Sequence, residues 1–188
     1  MGLSHSPRIV TDGLVLCLDA GDKMSYAGAG TTWTDFNLED HIDPLWSEGD
    51  GGTWFMIEFM DTNCGYCQQQ AAEDIPNEQA RWLGDNPPRS TPANVSVEFL
   101  AVSISLWDSD TEGKSYGRDV IQDFRDGNGH NFPYMDMQDN SHRDDWGGFG
   151  TPTYFLVAPN GIIEYVNLDA DRGYTVWDAM DEKIPRGA

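Results

Sequence analysis

The sequence is poor in basic residues and cysteine, and it lacks long apolar runs. Lys and Arg total 11 against 32 Asp and Glu, so the 188 residues carry a formal net charge of −21. Nucleic acids and anionic membranes are bound by basic surfaces, and this balance therefore argues against both as partners. Three cysteines are too few for a disulfide scaffold. No apolar stretch approaches the roughly 18 residues of a membrane-spanning helix, so we expect no membrane span.

The length and composition fit one globular domain with a short appendage. Hydrophobic residues make up 39% of the chain and charged residues 23%, which excludes global disorder. Residues 1–36 carry four acids and two bases, so most of the acidity belongs to the rest of the chain. Such a surface indicates either ordinary solubility or adaptation to high salt, in which counter-ions screen the self-repulsion.

The first part of the chain predicts an extension of the main domain. Residues 13–19 indicate a buried strand that includes Cys17 as a small apolar side chain, and Gly-rich turns follow it. Residues 12–35 resemble the opening of concanavalin-like, LamG-type jelly-roll domains (DGLVLCLDAGDKMSYAGAGTTWTD), but we do not find the remaining strands. We therefore expect an appended N-terminal β segment over residues 1–36 or, alternatively, a fusion remnant. The apolar run after Arg8 is too short to predict a clear signal peptide.

A short apolar run followed by a cysteine pair is the most informative feature of the sequence. Residues 54–60 are apolar except for Glu58, which predicts a central strand buried on both faces. The motif Cys-Gly-Tyr-Cys follows at 64–67, and residues 68–83 predict a helix with a kink at Pro76. The cysteine pair is thus expected at the point where a buried strand gives way to a helix.

The position of the pair predicts different roles for its two thiols. The thiolate is the nucleophile in disulfide exchange, and an ordinary thiol, with a pKa of about 8.5, is mostly protonated at neutral pH. Cys64, at a helix N-terminus, faces unpaired N–H groups and the positive end of the helix dipole, which stabilise a thiolate. Cys67 lies one turn further on, so we predict Cys64 as the exposed nucleophile and Cys67 as the buried resolving thiol.

Zinc binding is an alternative for a CxxC motif, but it needs further ligands. The sequence contains no second CxxC pair, and its histidines show no paired ligand spacing. We therefore predict a redox pair that requires no metal and no other cofactor.

A second segment predicts a β-hairpin that is preceded by a loop proline. Residues 149–157 run from a Gly loop into an apolar strand, and residues 162–168 return as a second strand. Pro152 stands directly before the first strand, where proline is often merely a strand starter. The remaining predicted elements are a strand at 95–106, helices at 119–124 and 175–184, and surface loops at 85–94 and 107–119.

These segments together resemble one branch of the thioredoxin-fold proteins. TlpA/ResA-like oxidoreductases have a strand, active site and helix similar to FMIEFMDTNCGYCQQQAAEDIP, a Phe-Pro segment similar to NFPYMDM, and a cis-proline hairpin similar to GFGTPTYFLVAPNGIIEY. The resemblance covers residues 37–185 approximately. It implies an α/β, thioredoxin-like fold with a mixed central sheet flanked by helices, which we assign to a domain at 37–188 that follows the extension at 1–36.

The resemblance also implies roles for individual residues. Cys64 and Cys67 correspond to the redox pair and Pro152 to the cis-proline, whose loop exposes the Thr151 backbone to an extended substrate. Glu58 precedes Cys64 by six residues and corresponds to the buried acid that family members place beneath the disulfide. We expect it to accept a proton when Cys67 resolves a mixed disulfide; the alternative is an edge-strand acid that faces water.

The residues around the pair depart from the reductase pattern. Gly65 and Tyr66, which we expect to contact substrate, stand where reductases commonly have Gly-Pro. Gly-Tyr is found in DsbC-like disulfide isomerases, but we find no counterpart of their dimerisation domain. Asn63 replaces the Trp that usually precedes the first cysteine, a change that affects partner docking.

We predict a thiol-disulfide oxidoreductase that exchanges disulfides with protein substrates through the CGYC pair. Its partners would be protein thiols or disulfides and a redox partner that the sequence does not identify. A DsbC-like isomerase is one alternative. A non-catalytic binding or structural module on the same fold is another, motivated by the jelly-roll-like segment. The resemblance implies an extracytoplasmic location.

Overall fold

Strands and helices alternate along the chain and end in a hairpin and a final helix. The computed structural model describes residues 38–84, 91–104, 117–136, 150–168 and 173–187. A short 3-10 helix, Leu38–His41, comes first. The strands are β1 Gly52–Met60, β2 Val95–Ser103, β3 Tyr134–Asp136, β4 Thr153–Val157 and β5 Ile163–Val166. The helices are α1 Gly65–Trp82, α2 Gly117–Gly127 and α3 Val176–Lys183.

The five strands form one mixed sheet in the order β3-β2-β1-β4-β5. Strands β1, β2 and β3 are parallel, whereas β4 pairs antiparallel with both β1 and β5. Parallel neighbours need crossover connections, and right-handed crossovers that step in one direction place their helices on one face of the sheet. Because the chain steps from β1 to β2 to β3, α1 and α2 share a face, and Ile75 and Ile121 accordingly belong to one core cluster.

The sheet buries both of its faces. One face, which we call the helix-covered face, packs Met56 and Met60 of β1 against residues of all three helices. The opposite face carries Phe55, with Leu38 from the 3-10 helix packed in the same cluster. Successive side chains of a strand point to opposite faces. Glu58 therefore lies on the helix-covered face, between Met56 and Met60.

Helix α3 begins with a reciprocal capping arrangement. The backbone N–H of Asp178 donates to the Thr175 hydroxyl at 3.2 Å, and the backbone N–H of Thr175 donates to the Asp178 carboxylate at 2.8 Å. Two N–H groups that the helix leaves unpaired are satisfied in this way. Trp177 then packs its ring against Tyr154, with 5.9 Å between ring centroids, so α3 packs directly against a side chain of β4.

The α/β fold with a mixed central sheet is confirmed, and the bounds of its elements differ from the predicted ones by a few residues. Helix α2 extends over Gly117–Gly127, whereas the sequence predicts 119–124, so the end of the predicted loop at 107–119 is helical. Strand β3, which is only three residues long, is not among the predicted elements. So short an edge strand has too little alternation to be recognised.

The predicted N-terminal β segment lies outside the described residues. This applies to the whole of residues 1–36, including the strand at 13–19 and Cys17. Within the described part of the chain, none of the helices has both the length and the apolar character needed to cross a membrane.

Candidate active site

Cys64 lies at the N-terminus of α1 because a tight turn follows β1. Asp61 Oδ1 accepts a hydrogen bond from the backbone N–H of Asn63 at 2.8 Å. The N–H of Cys64 donates to the Asp61 carbonyl oxygen at 2.9 Å. Cys64 is the N-cap residue, with an extended backbone (φ −75°, ψ 119°). The first N–H groups of α1 have no partner within the helix, so they and the positive end of the helix dipole face the Cys64 side chain.

The Cys64 sulfur also lies beside the loop that precedes β4. Its thiol donates to the carbonyl oxygen of Thr151, with 3.3 Å between Sγ and oxygen. The Thr151–Pro152 peptide bond is cis. The hydroxyl of Thr153 donates to the Gly150 carbonyl oxygen at 2.7 Å and braces the loop. The structure thus brings together Cys64 and Thr151, which are 87 positions apart in the sequence.

The surroundings of Cys64 favour its thiolate. Partial burial disfavours the charged form, but hydrogen-bonding groups of Thr151, Cys67 and Tyr66 outweigh it, so the pKa of Cys64 lies below its ordinary value. The buried Thr151 hydroxyl has no partner among the described residues, which leaves it available to donate to a thiolate. A lowered pKa increases the ionised fraction at neutral pH, and the thiolate is the reactive form.

Cys67 lies one turn further along α1 in a different environment. Its side chain is fully buried, whereas Cys64 is partly exposed, and both thiols are free. Burial raises the pKa of Cys67 far above the ordinary thiol value; backbone and side-chain contacts with Asp61 and Thr151 lower it, and the nearby Cys64 and Glu58 raise it further. Cys67 is therefore a protonated thiol at neutral pH, and it needs a base before it can attack.

Glu58 is a buried carboxyl group beneath the cysteine pair. Its side chain is 1% exposed on the central strand β1, so the alternative of an edge-strand acid facing water is excluded. The Tyr154 hydroxyl donates to Glu58 Oε1 at 3.1 Å, and Oε2 has no partner within the described part of the chain. Burial raises the pKa of Glu58 from 4.5 to about 8, although the hydrogen bond from Tyr154 lowers it. The group can therefore take up or release a proton near neutral pH.

The strand register explains which side chains surround Glu58. On β4 the residue level with Glu58 is Tyr154, and on β2 it is Ala101, which is in turn level with Tyr134 of β3. The two tyrosines thus lie in one row across the helix-covered face, on either side of the carboxyl group. Neither tyrosine could be identified from the sequence, because their positions depend on the register of strands that are far apart in the chain.

A buried histidine, His130, lies next to Tyr134 and extends this row of polar side chains. The hydroxyl of Tyr134 lies 2.7 Å from His130 Nδ1, and His130 Nε2 lies 2.9 Å from the carbonyl oxygen of Ala71 in α1. A carbonyl oxygen only accepts, so Nε2 carries the proton and Nδ1 accepts from Tyr134. Burial lowers the pKa of His130, although its bond to Ala71 raises it. This role of His130 has no local signal in the sequence, because Ala71 is 59 positions away.

Gly65 and Tyr66 begin α1 on the solvent side of the pair. Both are exposed, and the Tyr66 side chain retains 75% of its accessible surface. An exposed aromatic ring therefore lies next to the partly exposed sulfur of Cys64. Substrate contact by these two residues stays a prediction. The described residues contain no group of three or more His, Cys, Asp or Glu side chains that could hold a metal ion.

Solved structures with the same architecture are thioredoxin-like proteins. A thioredoxin-like superfamily protein superposes with a TM-score of 0.60 at 15% identity, covering 93% of this chain and 97% of that one. A thiol-disulfide isomerase from Corynebacterium glutamicum gives 0.59 at 16% identity, with coverage of 92% and 97%. The thioredoxin domain of a thiol-disulfide oxidoreductase from Bacteroides vulgatus gives 0.54 at 12% identity, with coverage of 89% and 98%.

These likenesses establish a thioredoxin-like fold. No protein-family model matches the chain, and neither does any curated protein. The structural neighbours include thiol-disulfide oxidoreductases, which agrees with the resemblance noted in the sequence.

Proposed function

We propose that this protein is a thiol-disulfide oxidoreductase that exchanges disulfides with protein substrates through Cys64 and Cys67. One observation carries the proposal. A partly exposed thiol with a lowered pKa stands at a helix N-terminus, and a buried thiol with a raised pKa follows one turn later. This asymmetry suits a two-step exchange, in which one sulfur attacks a partner and the other releases it.

In the first step, the Cys64 thiolate attacks one sulfur of a partner disulfide. A Cys64–partner disulfide forms, the partner's own S–S bond breaks, and its second sulfur leaves as a thiolate. The N–H groups at the start of α1 and the Thr151 hydroxyl favour the ionised form of the attacking sulfur. The exposed positions of Gly65 and Tyr66 support their assignment as substrate contacts. We assign Pro152 and the Thr151 backbone to the same contact surface.

In the second step, Cys67 loses its proton and attacks Cys64. The Cys64–Cys67 disulfide forms, the bond from Cys64 to the partner breaks, and the partner leaves as a dithiol, reduced by two electrons. Glu58 is our candidate for the proton acceptor, since its carboxyl group has a pKa of about 8 and lies close enough to influence the thiol of Cys67. A dithiol donor must then reduce the Cys64–Cys67 disulfide. Run in reverse, the same steps oxidise a substrate dithiol.

The test is to trap the mixed disulfide. In a Cys17→Ser background, reduced Cys67→Ser should accumulate a covalent adduct with a disulfide-containing protein substrate, such as scrambled ribonuclease, or with a small disulfide, and the adduct should map to Cys64 by mass spectrometry. Cys64→Ser is the matched control and should form no adduct. A Cys64 that reacts no faster than a model thiol at neutral pH would contradict the proposal and favour a non-catalytic module.

A disulfide isomerase is the second candidate. The Gly-Tyr dipeptide between the cysteines favours it, and so does the similarity in fold to the thiol-disulfide isomerase from Corynebacterium glutamicum. Isomerisation needs attack and release at Cys64 without net electron transfer. Refolding of scrambled ribonuclease measured beside insulin reduction distinguishes the two, because a reductase consumes donor dithiol in proportion to turnover and an isomerase does not.

We further propose that residues 37–188 form the catalytic domain and that residues 1–36 are an extension of it. The family resemblance supports an extracytoplasmic location. Protein thiols and an additional redox partner are the proposed interaction partners. A disulfide-linked complex captured by the Cys67→Ser variant, followed by identification of the attached protein, tests the partner assignment.

A further inference from the structure

Asn167 makes an unusual set of contacts at the end of β5. Its backbone N–H donates to the carbonyl oxygen of Tyr154 at 3.3 Å. Its side-chain Oδ1 accepts from the backbone N–H of Tyr154 at 2.9 Å. Its side-chain Nδ2 donates to the carbonyl oxygen of Pro152 at 3.2 Å. One side chain therefore contacts two residues of the loop and strand beside Cys64.

The geometry shows that the side chain continues the sheet. Strand β5 ends at Val166, whose partner on β4 is Phe155. The next antiparallel pair would be Asn167 with Tyr154, in which the two residues exchange backbone hydrogen bonds. Here the Asn167 carboxamide oxygen takes the place of its own backbone carbonyl. Its amide nitrogen then donates to the carbonyl oxygen of Pro152, the residue directly before the start of β4. The carboxamide thus acts as an additional peptide group that extends the ladder into the loop.

The two residues that Asn167 binds, Pro152 and Tyr154, are each connected to a group of the candidate active site. On one side, Pro152 follows Thr151, whose carbonyl oxygen accepts from the Cys64 thiol and whose hydroxyl is placed to donate to a thiolate. On the other side, Tyr154 carries the hydroxyl that donates to Glu58. A substitution at Asn167 should therefore affect the site by moving the backbone of Pro152 and Tyr154, because it changes no side chain that contacts the sulfurs.

We propose that Asn167 is a positioning residue that holds the Thr151–Pro152 loop at contact distance from Cys64 and thereby sets the reactivity of the nucleophile. This inference rests on the proposed function. The hydrogen bonds of Asn167 go to Pro152 and Tyr154 and not to either sulfur, so its effect is exerted through the neighbouring Thr151.

The same hairpin contains a matched control. Asn160 lies in the turn between β4 and β5, and its Oδ1 accepts from the backbone N–H of Ile162 at 3.0 Å. It is the same residue type, makes a side-chain bond to backbone in the same hairpin, and stands at the opposite end of β4 from Cys64. A merely structural role for Asn167 predicts that Asn167→Ala, like Asn160→Ala, lowers the melting temperature and leaves the titration of Cys64 unchanged.

The experiment measures the rate of Cys64 alkylation by iodoacetamide against pH, in the reduced Cys17→Ser protein. For Asn167→Ala we expect the titration midpoint of Cys64 to rise, because the Thr151 side chain lowers the pKa of Cys64 and would move away with the loop. A rise of about half a pH unit corresponds to about a threefold lower rate at neutral pH. For Asn160→Ala we expect the parent profile. In a Thr151→Val background, Asn167→Ala should have little further effect, because Thr151 is the group through which it acts. Coincident profiles for Asn167→Ala and the parent would overturn the inference.

A second variant covers the case in which Asn167→Ala does not fold. Asn167→Leu has a similar volume and no charge, and it loses both side-chain hydrogen bonds. We still expect a raised Cys64 midpoint for this variant. An unchanged midpoint there overturns the inference. Failure of the proposed function has a different signature, since the parent protein itself would then show an ordinary Cys64 thiol.

Discussion

Replacing Glu58 by Gln should make the protein more stable at neutral pH. The parent carboxyl group is buried on β1, accepts one hydrogen bond from Tyr154, and has a second oxygen with no partner within the described residues. Gln is nearly isosteric, keeps an oxygen that can accept from Tyr154, and is uncharged at every pH. The substitution therefore removes the cost of burying a charge, or of protonating the carboxyl group to avoid that charge.

The magnitude follows from the pKa of Glu58, which burial raises from 4.5 to about 8. In the unfolded chain the carboxyl group ionises above pH 4.5, whereas in the folded protein it keeps its proton up to about pH 8. Between these two pH values the folded state therefore binds more protons than the unfolded state, so the unfolding free energy falls as pH rises. Each unit of pKa difference corresponds to about 1.4 kcal/mol. The parent should therefore lose about 3 kcal/mol between pH 5 and pH 8 through this one group, and Glu58→Gln should lose none of it.

The assay is urea unfolding of the reduced proteins at several pH values from 5 to 8. The difference in unfolding free energy between Glu58→Gln and the parent should be small at pH 5 and should grow steadily toward pH 8. Glu98→Gln, which changes a half-buried acid on the neighbouring strand β2, is the matched control for loss of one negative charge. Parallel stability curves for Glu58→Gln and the parent across this range would refute the reasoning.

The same variant separates stability from function. If Glu58 accepts the proton of Cys67, Glu58→Gln should resolve mixed disulfides more slowly at neutral pH while Cys64 attacks at nearly the parent rate. Release of a chromophoric thiol from a preformed Cys64 mixed disulfide measures the second step alone. Matching pH–rate profiles for the variant and the parent would exclude Glu58 from proton transfer.

Two further predictions concern the packing around the site. Burial lowers the pKa of His130, so as pH falls through about 6.5 the unfolded chain takes up a proton at this histidine at a higher pH than the folded chain does. The parent should therefore lose more stability between pH 7 and pH 5 than His130→Gln does in urea unfolding, and equal losses would contradict this. Thr175→Ala removes the capping hydroxyl of α3 and should lower the unfolding free energy by about 1 kcal/mol in the same assay. No measurable change there would show that the capping pair contributes nothing in water.

The part of the site that lies on consecutive residues could be predicted from the sequence. An apolar run, a short turn, a cysteine pair and a helix follow one another between Gly52 and Trp82. The pattern of apolar residues and the chemistry of a helix N-terminus are local, so they place Cys64 at the cap and Cys67 in the first turn without knowledge of the rest of the fold. Burial of Glu58 follows from the same run, because a central strand has no face in water.

The contacts between distant segments could not be predicted in this way. The partner of Glu58, Tyr154, is 96 residues away in the sequence, and their contact depends on the antiparallel register of β1 and β4. The role of Asn167 depends on the point at which β5 ends relative to β4. A shift of one residue in either register moves every side chain to the other face, so neither contact has a signature in the local sequence.

The two cysteines, although close in sequence, acquire opposite properties because they lie at different depths. Cys64 is partly exposed at the cap and is surrounded by donors, so its thiolate is favoured; Cys67 is enclosed between α1 and the sheet, so its thiol is favoured. The order of the reaction follows from this difference. The site therefore depends on the loop at Thr151 and the carboxyl group at Glu58 as well as on the motif. Changes that alter their distance from the sulfurs should change the rates while the CGYC sequence stays the same.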